Sequence, residues 1–222
     1  MCLLVHGFPS KIAALMFEHA WQHCYMTRHI KKEDCIVSSK TGGRSLAHKL
    51  GNVRLLCKSQ FFTRMQLKVQ CFSSECYKVW CENRFGITVS DSIQVSYVSE
   101  TKRDEQVNMG HVTDFKQKYQ DEDSELLERY GKLLTFGELT CGICQRTVDY
   151  ANGEEFPLLG LCHNCECVSH LSCLARDHCS EELIPQRALC PGCTTPSPWP
   201  LYVRRATRVR EKFGLPSESL EH

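Results

Sequence analysis

Four close pairs of cysteine and histidine dominate the C-terminal part of this chain and limit its folding more tightly than any other feature. They are Cys141-x-x-Cys144, Cys162-x-x-Cys165, His170-x-x-Cys173 and Cys190-x-x-Cys193, separated by 17, 4 and 16 residues. Zinc takes thiolate and imidazole ligands tetrahedrally, so eight such groups match two ions. The interleaved spacing predicts cross-bracing, with the first and third pairs holding one ion and the second and fourth the other. About 55 residues of this kind have too little apolar core to fold alone. Structural zinc supplies the missing free energy, on the order of 10–16 kcal/mol.

The pattern is that of a RING- or PHD-type finger. A competing register exists, because Cys165-x-Cys167-x-x-His170-x-x-Cys173 also supplies spaced ligands. We prefer Cys162 with Cys165, since Cys165 then stands five residues before His170, the PHD-like interval. Cys179 is expected to be a thiol outside the ligand set. A disulfide framework fits the 16 cysteines poorly. The start, Met1 to His6, lacks the ordered charged, apolar and cleavage regions of a signal peptide. No run of about 18 apolar residues suggests a membrane span. Seven further cysteines (Cys2, Cys24, Cys35, Cys57, Cys71, Cys76 and Cys81) then point to a reducing compartment.

Net charge is +1, yet its distribution is uneven. Residues 1–68 carry eleven lysines and arginines against Glu18, Glu33 and Asp34, an excess of eight positive charges. Such a surface suits nucleic-acid phosphates, with Lys31, Lys32, Lys40 and Arg44 as candidate contacts. An ordinary solvated basic face fits the charge count as well. Residues 121–128 are acidic, and Arg204 to Lys212 form a closing basic run.

Residues 2–6 predict a short buried strand. Ser10 is placed to cap a helix through Trp21, so apolar over Ile12 to Phe17 that burial on most sides is expected. A second amphipathic helix runs through Leu46, Leu50, Val53 and Cys57, with Lys49, Arg54 and Lys58 facing outward. Alternation from Met65 to Cys71 predicts a half-buried strand, and Ile93, Val95 and Tyr97 another extended piece. Residues 99–112 read as a linker and 113–134 as a charged helix. Residues 27–45, with their Ser38-Ser-Lys-Thr-Gly-Gly43 run, read as a polar basic loop. That run is no P-loop, because its glycines follow the lysine. His19 and His23 have chelating i, i+4 spacing but no evident third ligand.

Glu18 is the one acidic residue among the first 32. A carboxylate beside buried surface costs several kcal/mol without compensation, and a divalent cation could provide it. A partner such as Arg28, or solvent, would serve equally.

The run Leu4-Val-His-Gly-Phe-Pro-Ser10 and the following Ala14 to His23 resemble the back half of a GIY-YIG nuclease domain. The closest likeness is to the catalytic subunit of Slx-type structure-specific endonucleases. The stretch from Leu46 to Phe72 is similar to the segment after that family's nuclease core, and the order of finger ligands agrees. The resemblance implies an α+β chain with a GIY-YIG remnant (1–30), a basic loop, helix and strand region (31–98), a linker and charged helix (99–134), a two-zinc finger (135–203) and a basic tail (204–222). By motif, Glu18 takes the family's role of binding the catalytic Mg²⁺ or Mn²⁺. The implied activity is nicking of branched DNA (Holliday junctions, flaps and forks) in nuclear DNA repair and recombination, with the finger docking a large scaffold subunit.

The family's catalytic tyrosine and arginine have no counterpart here, and no Gly-Ile-Tyr or Tyr-Ile-Gly triplet occurs. The chain is therefore expected to be a truncated, inactive form. A single strand cannot make a sheet, so its first helix is expected to lack a surface to pack on. Two other functions compete. A RING-type ubiquitin ligase would use Ile143 and Pro191 as its contact surface, although Thr194 stands where many ligases place an arginine. A zinc-finger adaptor without nuclease activity is the other.

Overall fold

A computed structural model of the chain describes residues 1–98, 105–136, 138–150, 156–178 and 184–214, with backbone alone for 105–110 and 136. It divides into two compact units, Met1–Gln117 and Lys118–His222.

The first unit begins with strand β1 (Leu3–His6) and helix α1 (Lys11–Gln22). Ser10 caps α1 as expected, its Oγ accepting from the Ala13 N–H at 3.2 Å. The helix buries a single stripe, Ala13, Phe17 and Ala20, packed against α2 (Leu46–Lys58). Phe17 meets Phe62 edge-on at 4.9 Å, a burial worth about 1.5–3 kcal/mol. The expectation that α1 is buried on most sides is corrected. Ile12 is 71% exposed and Leu15 53%, because residues at i, i+4 and i+7 line one face and α2 covers only that face.

Helix α2 is the centre of this unit, with every residue from Leu50 to Cys57 buried. Arg54, read from the sequence as outward-facing, is buried. Gly51 explains how closely its neighbours approach. A Cβ there would lie 2.6 Å from Ile36 Cδ1 and 2.8 Å from Phe85 Cδ2. A short helix, α3 (Gln60–Thr63), follows.

Strand β1 does not stand alone, which corrects the lone-strand expectation. It pairs antiparallel with β2 (Lys68–Cys71), in register Leu3↔Cys71 to His6↔Lys68. β2 pairs parallel with β3 (Gln94–Tyr97). Helix α4 (Ser74–Glu82) makes the crossover that a parallel pair requires. It was not anticipated, although Ser73 caps it and Cys76 and Trp80 form its buried i, i+4 stripe. Asn83 ends it in the left-handed region, φ 41°. The alternation read from Met65 yields a strand only from Lys68. Its central residue Gln70 is buried and bonded through Oε1 to the Ser96 hydroxyl at 2.6 Å. Lys68, on the same face, stays exposed, so the polar side of this middle strand is solvated at one end and bonded inside at the other.

Helix α5 (Glu105–Phe136) carries the division between the units. Its first residues belong to the stretch read as a linker, of which 99–104 lie outside the described residues. In the second unit, β4 (Leu159–Leu161) pairs with β5 (Val168–His170), and α6 (Leu171–His178) follows. β6 (Arg187–Leu189) pairs with β7 (Pro196–Pro198). Residues 204–213 of the supposed basic tail belong to α7 (Trp199–Phe213), which buries Trp199, Tyr202, Ala206 and Val209. Its outer arginines Arg204 and Arg208 meet Asp123 at 3.0 and 3.2 Å. Among the described residues no helix is long and apolar enough to cross a membrane.

Candidate metal centres and a basic groove

The β4–β5 hairpin and the two knuckles draw eight ligand atoms into two groups. Cys141, Cys144, His170 and Cys173 form one, Cys162, Cys165, Cys190 and Cys193 the other, and within each group the atoms lie within 4.8 Å of one another. Each of two knuckles ends in a left-handed residue, Gln145 (φ 57°) after Cys144 and Thr194 (φ 56°) after Cys193. This turn folds a Cys-x-x-Cys back so that both sulfurs face one point. Backbone N–H groups aim at the sulfurs: His170 N lies 3.4 Å from Cys141 Sγ, Asn164 N 3.3 Å from Cys162 Sγ, and Gly192 N 3.4 Å from Cys190 Sγ.

The separations distinguish metal chemistry from disulfides. Cys162 and Cys193 sulfurs are 3.6 Å apart, and those of Cys165 and Cys190 3.5 Å. Cys144 Sγ is 3.5 Å and Cys173 Sγ 3.7 Å from His170 Nδ1. A disulfide needs about 2.05 Å. Four sulfurs bonded at about 2.3 Å to one tetrahedral ion lie roughly 3.8 Å apart. Each group can therefore hold one divalent ion.

Their electrostatics are uneven. Burial pushes Cys165 up to about 12 and Cys190 to about 11. At Cys193 the hydroxyl and backbone N–H of Thr195 draw the thiol down to about 6. At Cys141 burial acts upward but is outweighed by the N–H groups of Cys144, Ile143 and His170, leaving about 6. Thiols held so close ionise together only when a cation shares their charge.

Cys167 stands outside both groups. It lies between the knuckles, where a Cβ on Gly142 would come within 2.9 Å of its Sγ and one on Gly192 within 2.9 Å of its Cβ. His163 also stays apart, its Nδ1 3.2 Å from the Ser197 hydroxyl. Cys179 lies outside the described residues.

In the first unit, Glu18 opens onto a groove of about 400 Å³ between α1, α2 and the loop before α2. Lys40, Arg44 and Lys49 share it, and none of the three makes an ion pair among the described residues. Lys31 and Lys32 are exposed but do not line it. Glu18 is exposed and accepts from Gln22 Nε2 at 3.0 Å, so the expected cost of burying its carboxylate does not arise. His19 and His23 stack at 4.4 Å, and they join no metal-holding group among the described residues.

The loop wall is built. Gly43 has φ +65°, and a Cβ there would collide with Val37 Cγ2, so the chain turns tightly onto Val37. Trp21, Tyr25 and Asn52 line the same groove and were missed from the sequence. Trp21 Nε1 donates to the Lys49 carbonyl at 3.0 Å and ties α1 to α2. Only the packing of these helices reveals that residues so far apart in sequence share one cavity.

The description "Structure-specific endonuclease subunit SLX1, C-terminal" fits residues 140–203. Proteins named structure-specific endonuclease subunit SLX1 are similar along nearly the whole chain. That of Kluyveromyces lactis is 35% identical over 223 residues, covering 96% of this chain and 77% of its own length. That of Debaryomyces hansenii is 36% identical, covering 96% and 73%, and that of Eremothecium gossypii 38% identical, covering 90% and 75%.

Proposed function

The chain belongs to the SLX1 family of structure-specific endonuclease subunits, and on that premise we propose that it binds branched DNA and holds the divalent ion used to nick it. The observation that carries this reading is the meeting of Glu18 with Lys40, Arg44 and Lys49 in one groove. Phosphodiester hydrolysis needs a cation near the scissile phosphate and fixed positive charge on its other oxygens. Mg²⁺ or Mn²⁺ binds through one or two carboxylates, retained waters and phosphate oxygens. Glu18 fits that modest requirement, since only its Oε1 is engaged, by Gln22. When bound, the ion would act as a Lewis acid on the phosphoryl oxygen.

The chain's own residues do the rest. Lys40 and Arg44 reach the strand from the loop, Lys49 from α2, and the arginine's planar fork can take two phosphate oxygens. In this reading Holliday junctions, flaps and forks are the substrates, in DNA repair and recombination within the nucleus. The GIY-YIG identity of the first unit rests on the sequence resemblance from Leu4 to His23.

The second unit is read as a zinc finger. Three sulfurs with one imidazole, and four sulfurs, are donor sets that suit zinc. Its role in this proposal is to dock a large scaffold subunit that directs the nuclease. Ile143 packs against the finger's own core, which supports a docking module over a ubiquitin-ligase surface built on that residue.

A mobility-shift titration tests the proposal. The chain should bind a four-way junction more tightly than a linear duplex of equal length. Lys40→Ala with Arg44→Ala should weaken junction binding about tenfold at moderate salt, since each phosphate contact adds to the salt-dependent affinity. Equal affinity for the two DNAs, or a double variant that binds as well as the parent, would refute it.

A further inference from the structure

Asn52 is 3% exposed, and half of its amide has no partner. Its Nδ2 lies 3.0 Å from Cys24 Sγ, while its Oδ1 is buried without a hydrogen bond. Turning the amide about Cβ–Cγ exchanges the two halves. The Cys24 thiol then donates to oxygen, and the NH₂ is left over. Burial pushes Cys24 upward, so the thiol keeps its proton and can donate. In either orientation one strongly polar group of this groove-lining side chain is left without a partner.

The surroundings narrow what answers it. Half-buried Trp21 and Tyr25 stand beside it, and Lys40, Arg44 and Lys49 rim the opening. Aromatic faces, a buried amide and unpaired cations are three separate chemistries. A nucleotide presents all three complements: a flat base, a base edge with donors and acceptors, and a phosphate. A cavity of about 400 Å³ lies at the small end of ligand pockets, so it suits one unit rather than a stacked run. Paired bases keep their faces in the helix stack and cannot enter. Unpaired bases can stack on aromatic side chains and be read along their edges.

We propose that this groove is a receptor for a single unpaired nucleotide, with Asn52 bonding the base edge, Trp21 or Tyr25 stacking on the base, and the rim cations holding its phosphate. The inference rests on the nuclease reading above and adds to it a physical basis for preferring those branched DNAs that carry a single-stranded arm. A flap or a fork offers a strand whose first nucleotides are free of pairing, whereas a linear duplex offers none along its length. Glu18 shares the cavity, so the captured nucleotide places its phosphodiester beside the metal-holding carboxylate.

Photo-crosslinking of the unaltered chain tests it. A three-way DNA carries 5-iodouracil either at the unpaired nucleotide beside the branch or within a paired arm. Irradiation of the unpaired label should give an adduct that mass spectrometry maps to Trp21 or Tyr25, several-fold above the yield from the paired label. Asn52→Ala should lower the preference for branched over linear DNA about tenfold. Tyr25→Leu, at a half-exposed position, should lower the adduct yield with folding unchanged by circular dichroism. Adducts that map elsewhere, or equal yields from both labels, would overturn the nucleotide receptor. The nuclease reading would survive that result if Lys40→Ala with Arg44→Ala still weakened junction binding. Absence of any branched-DNA binding would overturn both.

Discussion

The guanidinium of Arg54 lies 4.2 Å above the ring of Trp80 and donates through Nη2 to that residue's own carbonyl at 2.7 Å. A further bond, Nη1 to the Ile87 carbonyl at 3.0 Å, ties α2 to the chain beyond α4. One side chain thus satisfies the end of the crossover helix and the loop that follows. Arg54→Met keeps the volume but takes one of two donors from each carbonyl, leaving only the Asn83 N–H on that of Trp80 and Asn83 Nδ2 on that of Ile87. It should destabilise the first unit by about 3 kcal/mol, read as a lower urea midpoint. Arg54→Lys should recover only part, because an ammonium cannot span both acceptors or stack on the indole in the same way. A midpoint unchanged in both variants would remove Arg54 from the account of this fold.

Gly43 couples stability to the groove. Alanine there must adopt φ +65° and also displace Val37. Gly43→Ala should cost about 1–3 kcal/mol and shift Lys40 and Arg44 from the groove. Junction binding should weaken several-fold, while a Gly86→Ala control, with open space around its Cβ, should leave it intact. Loss of stability with unchanged binding would show that the loop does not shape the DNA site.

Metal removal should divide the molecule. A strong chelator is expected to unfold the second unit, because cross-braced pairs supply much of its stability. The first unit's core is built from the helices α1 to α4 and the β1–β3 sheet and should keep its circular dichroism signal. Elemental analysis should find two zinc ions per chain, falling to one in Cys190→Ser. A metal-free second unit that retains cooperative melting would refute this assignment.

Zinc uptake should acidify the medium. Cys165 and Cys190, raised to about 12 and 11, carry protons at pH 7, and a cation must displace them. Cys141 and Cys193, at about 6, are largely ionised there and release few. Falling pH restores protons to the thiolates, so zinc affinity should fall steadily from pH 7 to pH 5. A dye-monitored titration measures both effects, and uptake with no proton release would contradict the described thiol environments.

Much of the finger was legible because zinc chemistry is local. Ligand type and spacing suggested Cys141 with His170 and, with Cys167 left open as a rival to Cys162, Cys162 with Cys190; the fold brings these groups together and leaves Cys167 outside. The Ser10 cap and the helix after it were equally local. Gln70 and Arg54 were misread for the opposite reason. Polarity patterns assume that a polar residue faces water, and both instead find partners inside. Helix α7 was obscured by its arginines, although Tyr202, Ala206 and Val209 keep a buried stripe beneath them.

Residue identity by itself determined where metal can bind and that Glu18 is the one acid among the first 32 residues, because ligand chemistry and charge survive without any knowledge of packing. Tertiary structure decided that Asn52 lies in the same cavity as Glu18 and Lys40, and that β1 finds its partner some 65 residues away in β2. Those outcomes depend on which surfaces bury each other. Burial is summed over the whole folded unit, so no short stretch of sequence contains it.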